Sequence, residues 1–302
     1  MNELPEKDLP PARHRLLKEH LLTEIRREPE QPARARAAWL RPAMAAAAIA
    51  TAAVVTVAVL PSHGDATGAP SQSGATALLE HIALAAEHSD AVPRTIRDDQ
   101  FVYIKSRGAY TTQVIGGPAK LDPVHDREIW LSVDGTRWGL LEEDRDGNRH
   151  EKLHPDNPKN KTPTNYRALS ELPTDPDRML AWLYRMSARN VEAERPDKDA
   201  AAFTLFGDLI RESLMPPEVT AALYRAAAKI PGVTVVREVK DAVGREGVAV
   251  TRDGTDGERE ELVFDPKTYV FLGERELDAD GKLSGSDAIL DRAVVDRAGQ
   301  RP

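Results

Sequence analysis

An uncharged run of eighteen residues, AMAAAAIATAAVVTVAVL at 43–60, constrains this chain more than any other feature. As a helix at about 1.5 Å per residue it would span roughly 27 Å, close to a hydrocarbon core of about 30 Å. Its only polar side chains are Thr51 and Thr56, whose hydroxyls can bond back to the helix backbone. Alanine is close to neutral for insertion, so the valines, Ile49 and Leu60 carry the preference. The run reads as a transmembrane helix of modest hydrophobicity. Arg34, Arg36 and Arg41 precede it, with Trp39 where an interfacial aromatic belongs, and no Lys or Arg follows until Arg94. The positive-inside rule then places residues 1–42 in the cytoplasm and 61–302 outside a cell membrane crossed once. The charge split agrees: residues 1–42 hold nine Lys+Arg against seven Asp+Glu, and the remainder thirty-two against forty-two. A cleaved signal peptide fits less well, because more than forty residues precede the core and no clean A-x-A site follows it. A buried helix of a soluble protein fits poorly with polar linkers on both sides.

The outer part, about 230 residues, is large enough for one domain with its own core. Cysteine is absent, which excludes disulfides, thiolate zinc sites, iron–sulfur ligation and thiol catalysis. A net charge of −8 argues against direct nucleic-acid binding by the outer domain. Aromatic residues are only 5 %, so Ala, Leu and Val must build the core.

In the tail, LPPARHRLLKEHLLTEIRRE places Leu17, Leu21 and Ile25 at i, i+4 and i+8, with Leu16 and Leu22 widening the face. Pro10 and Pro11 suit its start, and Pro29 and Pro32 stop it. So short a helix is marginal alone in water. Two readings stand: docking into a groove on a cytoplasmic protein through Leu17, Leu21, Leu22 and Ile25, or a basic segment on the inner leaflet or without fixed structure.

Beyond a Gly/Ser/Pro tether at 61–74, residues 75–302 form the expected outer domain. TALLEHIALAAEH is an amphipathic helix with Leu78, Ile82 and Ala85 on one face. Residues 101–115 and 127–143 alternate as antiparallel strands, the second bent at Asp134-Gly135. Residues 153–174, rich in Pro and Asn, read as a long loop. Asp175 is the expected N-cap and Pro176 the first residue of a helix whose apolar face is Met179, Trp182, Leu183 and Met186. Two more helices follow, AAFTLFGDLIRESL and PPEVTAALYRAAAKI. Strands then return in VTVVREVKD, REGVAVTRD, REELVFDPKT, YVFLGEREL and AILDRAVVD, with Asp-Gly pairs at 253–254, 256–257 and 280–281 marking turns. The class is α+β: an antiparallel sheet packed with several helices.

The segments FVYIKSRG, LPTDPDRMLAWLYR, LMPPEVTAALYRAAAKIPGVTVVREVKDAVGREGVAVTR and LVFDPKTYVFLGERE resemble a family of actinobacterial membrane-anchored proteins. Its members share the plan of tail, single span and outer domain, and are often encoded beside extracytoplasmic-function sigma factors. The outer domain is in turn similar, through strand order and the FDPKT turn, to the half-barrel of lipoprotein carriers and periplasmic sigma-factor regulators. That resemblance implies a curved sheet wrapped around helices and able to hold an acyl chain. Zinc-bearing anti-sigma factors pair His with Cys, and this chain has no Cys.

Candidate chemistry is sparse. His81 and His88 lie nearly on one helix face but lack a carboxylate partner, and His150 and His154 read as solvent-exposed. Asp144, Asp146 and Asn148 imitate part of a calcium loop without its spacing or closing Glu, so a turn at Asp146-Gly147 is the simpler reading. No nucleophile elbow, Ser-x-x-Lys pair, Walker loop or H-E-x-x-H is present, and Ser284 and Ser286 read as turn residues without a base. The expectation is a protein that is not an enzyme and uses no cofactor or metal. Trp130, Trp138, Met179, Trp182 and Met186 either line a lipid groove or form core. The functional expectation is a single-pass, anti-sigma-like regulator whose outer domain senses envelope state or a lipid and whose tail binds a sigma factor or related protein. The alternative is an anchored lipid or lipoprotein carrier whose tail has no regulatory role.

Overall fold

The computed structural model describes residues 72–89, 92–93, 95–112, 120–145, 149–157, 164–188, 197–254 and 257–302. All belong to one compact unit, Thr67–Pro302. Leu17, Leu21, Leu22 and Ile25 and the apolar run 43–60 lie outside the described residues. No helix among those described is long and apolar enough to cross a membrane.

Helix α1 (Gln72–Glu87) opens inside the expected tether and buries Ala75, Leu79, Ile82 and Ala83, a stripe rotated slightly from the expected face. In α3 (Pro176–Ser187) the Asp175 side chain accepts from the Arg178 amide at 2.9 Å and Pro176 takes the first turn, as expected. Met179, Trp182, Leu183 and Met186 are all buried. Helix α4 (Lys198–Arg211) is capped by Asp197, whose carboxylate accepts from the Asp199 and Ala200 amides at 3.0 Å. Asp197 also holds Arg252 on the sheet at 2.8 Å, which fixes where the helix starts. Burial alone would raise the Asp197 carboxyl; the amide bonds and Arg252 outweigh it and hold the group below the usual carboxylate range. Helix α5 (Pro217–Ala227) packs on α1, and its Arg225 donates to Glu80 at 2.9 Å and also to Glu87.

Three segments depart from expectation. Within the expected loop, Tyr166–Ser170 forms a one-turn helix, α2, capped by Asn165 through the Ala168 amide at 2.9 Å. Arg149–Leu153 is an edge strand, β5, whose charges suit an unpaired edge. Ser284 and Ser286 are not in a turn: they lie in the long final strand β10 (Leu283–Val295), where Ser286 donates to the Glu274 carbonyl at 3.2 Å.

The other strands are β1 (Phe101–Thr112), β2 (Lys120–Leu121), β3 (His125–Ser132), β4 (Gly139–Glu143), β6 (Thr234–Lys240), β7 (Glu246–Asp253), β8 (Arg259–Phe264) and β9 (Phe271–Leu277). They form one antiparallel sheet in the order β5-β4-β3-β1-β10-β9-β8-β7-β6, with β2 on β1. Two meanders are therefore joined through the first and last long strands. One sheet face carries the main core with the helices, including Ile104, Ile129, Leu262 and Phe264 against Phe203 and Phe206. The other face carries two smaller clusters. Trp130 anchors one of these, donating to the Gln300 carbonyl at 2.6 Å, while Arg301 reaches over it to Glu128 at 2.9 Å.

A bulge in the β1–β10 pairing decides which residues face the helices. Lys105 pairs with Asp291 but Ser106 pairs with Ile289, so Leu290 is the extra residue and is exposed. An extra residue reverses side-chain parity. Before the bulge Asp287 and Ile289 point to the helix side; after it Arg292 and Val294 do. Arg292 thereby donates to the Ile210 and Arg211 carbonyls, the orphaned acceptors at the end of α4.

Gly273 has φ +150°, and a Cβ there would meet the Asp287 carbonyl and Ala288 Cα. Gly281 has φ +75° in a turn, with nothing near the same position. Gly273→Ala should therefore lower unfolding stability by roughly 3 kcal/mol or more, through strain and backbone clash, and Gly281→Ala by only about 1–2 kcal/mol. Urea titrations check the contrast; equal losses would contradict it.

Candidate functional site

Along the helix-facing side of the sheet, hydrophobic positions give way to ionisable ones beyond the end of α4. One row of paired positions crosses five strands: Leu262, Glu274, Asp287, Gly108 and His125. The adjoining row holds Glu260, Glu276, Gly285 and Tyr110. Glu274 with Asp287, and Glu260 with Glu276, are thus direct cross-strand pairs of like charge, an arrangement that costs stability unless charge is compensated.

The compensating groups come from α4 and β3. Arg211 contacts Glu274 and holds Asp208 at 3.3 Å. Arg127 on β3 reaches Glu212 at 2.9 Å. Thr204 donates to Glu260 at 3.2 Å, and the Glu260 carboxyl fills the space that a side chain on Gly207 would take. At the β3–β4 side, buried His125 faces Glu143 at 3.0 Å through Nε2 and the Pro123 carbonyl at 3.2 Å through Nδ1. Both ring nitrogens face oxygens, so the ring is held from both sides.

Two guanidiniums serve more carboxyls than they can neutralise. Burial, reinforced by Glu276, Asp287 and Asp208, pushes Glu274 up to about 8 against the pull of Arg211. Burial likewise drives Glu260 well above the carboxylate range, helped by Glu274 and Asp208. Burial raises Asp287 too, although Arg211 and Arg127 oppose it. Arg211 itself, despite burial, is held charged by Glu274, Glu212 and Asp208. The two partners of the Arg211–Glu274 contact are both shifted upward, which one pair alone could not produce. Arg211 faces Glu274, Asp208 and Glu212 at once, so its charge is shared and burial keeps Glu274 and Glu260 raised. Glu212 differs: burial would raise it, but Arg127 and Arg211 outweigh that and keep it ionised. The side chains of Asp208 and Glu212, more than a third exposed, form an acidic rim. Inside, Asp287 Oδ1 and Ser106 Oγ have no hydrogen-bond partner among the described residues. Chemically, the cluster sets buried carboxyls with raised proton affinity behind a partly exposed acidic edge.

The residues singled out as a lipid groove are divided by the sheet. Met179, Trp182 and Met186 lie in the main core on the helix side. Trp130 lies in the cluster on the opposite face. Trp138 is exposed at the β3–β4 turn and stacks on His154. His81 meets the Tyr269 hydroxyl at 3.2 Å, and Arg145 turns away from Asp144 to bind Asp122 at 2.5 Å. Among the described residues no group of three or more His, Cys, Asp or Glu could hold a metal ion. The ionisable cluster escaped sequence reasoning because its members come from five elements. The available signal was strand parity, since Glu260, Glu274 and Glu276 share one face with the apolar Leu262.

No protein-family model matches the chain, and no curated protein does. Among solved structures it is similar to a chain in the complex of MucA and MucB from Pseudomonas aeruginosa, at 14 % identity and a TM-score of 0.29, covering 73 % of this chain. A structure of MucB in complex with MucA(peri) is similar at the same identity and score, covering 74 %. In both, the match spans 56 % of the other chain's length.

A carboxyl raised in the folded state binds a proton that the unfolded chain releases, so stability falls as pH rises from about 4.5 to about 8. Carboxyls held low, such as Asp197 and Asp265, act in the other window: their stabilisation is lost as pH falls below about 4. Glu274→Gln mimics the protonated group and should flatten the decline between pH 5 and pH 8. Urea midpoints at several pH values check this; a parallel pH profile in the variant would refute the assignment.

Proposed function

We propose that the chain is a single-pass, membrane-anchored regulator, anti-sigma-like in plan. Its outer domain responds to envelope state outside the cell membrane, and its tail binds a cytoplasmic sigma factor or related protein. The anchor rests on the charge-free run 43–60 and its basic flank. The resemblance to membrane proteins encoded beside sigma factors gives the partner class, and the weak likeness to the MucA/MucB structures is not needed for it. Binding without catalysis is the mode of action.

One observation favours the regulator over the lipid carrier. The apolar half of the helix-facing sheet is filled by the protein's own side chains, with Met179, Phe203 and Phe206 fully buried there. An acyl chain would have to displace them, at a cost of the order of 3–5 kcal/mol for each large side chain removed from its packing. The other half carries charge, which suits a polar contact better than a hydrocarbon tail.

Residues 1–42 as bait should capture a sigma factor identified by mass spectrometry. Replacing Leu17, Leu21 and Ile25 together with Asp should reduce capture at least about tenfold, since three apolar contacts are lost. Equal capture by both forms, or capture of no sigma factor by either, counts against the regulator and leaves the carrier.

A further inference from the structure

One side of α1 faces solvent without a carboxylate on it. Ala77, His81, Leu84 and His88 are all exposed, and helical geometry sets them within an arc of about 60°. His88 extends the helix by one bond, its amide donating to the Leu84 carbonyl at 3.3 Å. The chain as a whole carries 49 Asp+Glu against 41 Lys+Arg, so an exposed stripe free of acids stands out from its surroundings. The two acids of α1, Glu80 and Glu87, lie on its flank and are both held by Arg225. Within the stripe, Leu84 is 43 % open.

The turn between β8 and β9 holds out a second apolar side chain. Asp265 fixes this turn: its Oδ1 accepts from the Lys267 and Thr268 amides at 2.9 and 2.7 Å. The Asp265 amide donates to the Val270 carbonyl, and its carbonyl accepts from the Tyr269 amide, both at 2.9 Å. Tyr269 takes φ +60°, a rare value for an aromatic residue. Its hydroxyl meets His81 Nδ1 at 3.2 Å, and the two rings meet edge-on with centroids 5.6 Å apart. Val270 follows directly and is 59 % open, the most exposed large apolar side chain among the described residues. The His81–Tyr269 contact therefore joins the turn to the stripe, with Leu84 one helical turn from His81 and Val270 next to Tyr269.

Two open apolar side chains are too little to hold a partner arriving from solution, since specific interfaces bury about 800 Å² on each side. They suffice for a surface that cannot diffuse away, because tethering makes the contact intramolecular. Helix α1 starts at Gln72, so eleven residues, 61–71, separate it from the apolar run 43–60. Fully extended, that many residues reach at most about 40 Å. A domain on so short a lead stays beside the bilayer that holds its anchor. A helix lying in the plane of the interface places apolar groups at the boundary of headgroups and acyl chains. The imidazoles and the Tyr269 hydroxyl then fall at headgroup level, where amphipathic rings are at home.

We propose that the outer domain docks on the outer surface of the membrane through α1 and the β8–β9 turn, with Leu84 and Val270 entering the interface. The proposal rests on the anchored reading, because the short tether supplies the proximity that so small an apolar face needs.

The chain has no cysteine, so each one introduced carries a single nitroxide label. The full chain is reconstituted into vesicles of equal parts phosphatidylcholine and phosphatidylglycerol as Leu84→Cys, Val270→Cys and Val124→Cys. Val124 is the control, 39 % open and in the first meander. Labels at 84 and 270 should collide several-fold less with a water-soluble nickel chelate than the label at 124, and more with oxygen. Val270→Asp should return the label at 84 to water. All these positions are exposed, so thermal melts of the variants should match the parent. Labels at 84 and 270 as open to the chelate as the label at 124 overturn the docking. Shielding that disappears when more lipid is added per chain overturns it too, because a second copy is then the cover. An alkaline carbonate wash separates the two failures. Chain stripped from the vesicles refutes the anchor and the docking with it, whereas chain retained with its labels in water refutes the docking alone.

Discussion

The antiparallel pairing of β1 with β10 is the interaction on which the rest of the domain depends. It joins a meander built from residues 101–153 to one built from residues 234–295. Without it there would be two small sheets, each with an edge too many and half a core. The bulge at Leu290 lies within this pairing and sets parity for everything that follows it. Arg292 faces the helices because of that one extra residue, and Arg292 is what satisfies the last carbonyls of α4. The position of α4, fixed at its start by Asp197 and Arg252 and at its end by Arg292, then determines where apolar packing stops and charge begins.

That boundary gives the domain two different interiors. On one side, aromatic and aliphatic groups from sheet and helices fill the space between them, and burial supplies stability in proportion to area. On the other, carboxyls outnumber guanidiniums, and burial costs stability unless protons and ion pairs compensate. Glu274 and Glu260 take the first route and Glu212 the second, although all three belong to one cluster. The difference is the number of guanidiniums each meets: Glu212 is held by Arg127 and Arg211 together, whereas Glu274 has Arg211 alone and shares it with its neighbours.

Much of the architecture was legible in the residues. Asp175-Pro176 announced α3 because capping is local chemistry, and the spacing of Val219, Ala222, Leu223, Ala226 and Ile230 announced α5 because helical burial repeats every 3.6 residues. The strands of the second meander followed from alternation and Asp-Gly turns. What escaped depends on long-range pairing. Arg149–Leu153 is a strand only because β4 lies beside it, and nothing in RHEKL alone would make it one. Ser284 and Ser286 sit among glycines that look like a turn, and only β1 and β9 on either side hold them extended. The ionisable cluster was illegible for the same reason. No motif spans five elements, and only register shows that Glu274 and Asp287 touch the same row.

The joining of first strand to last also governs when the domain can become itself. Residue 101 finds its partner at 295, so a chain emerging in order from the ribosome cannot close its sheet until residue 295 has been made. Until then β1 offers an unpaired, largely apolar edge beside β3. Such a chain gains by being kept from pairing elsewhere until its last strand arrives.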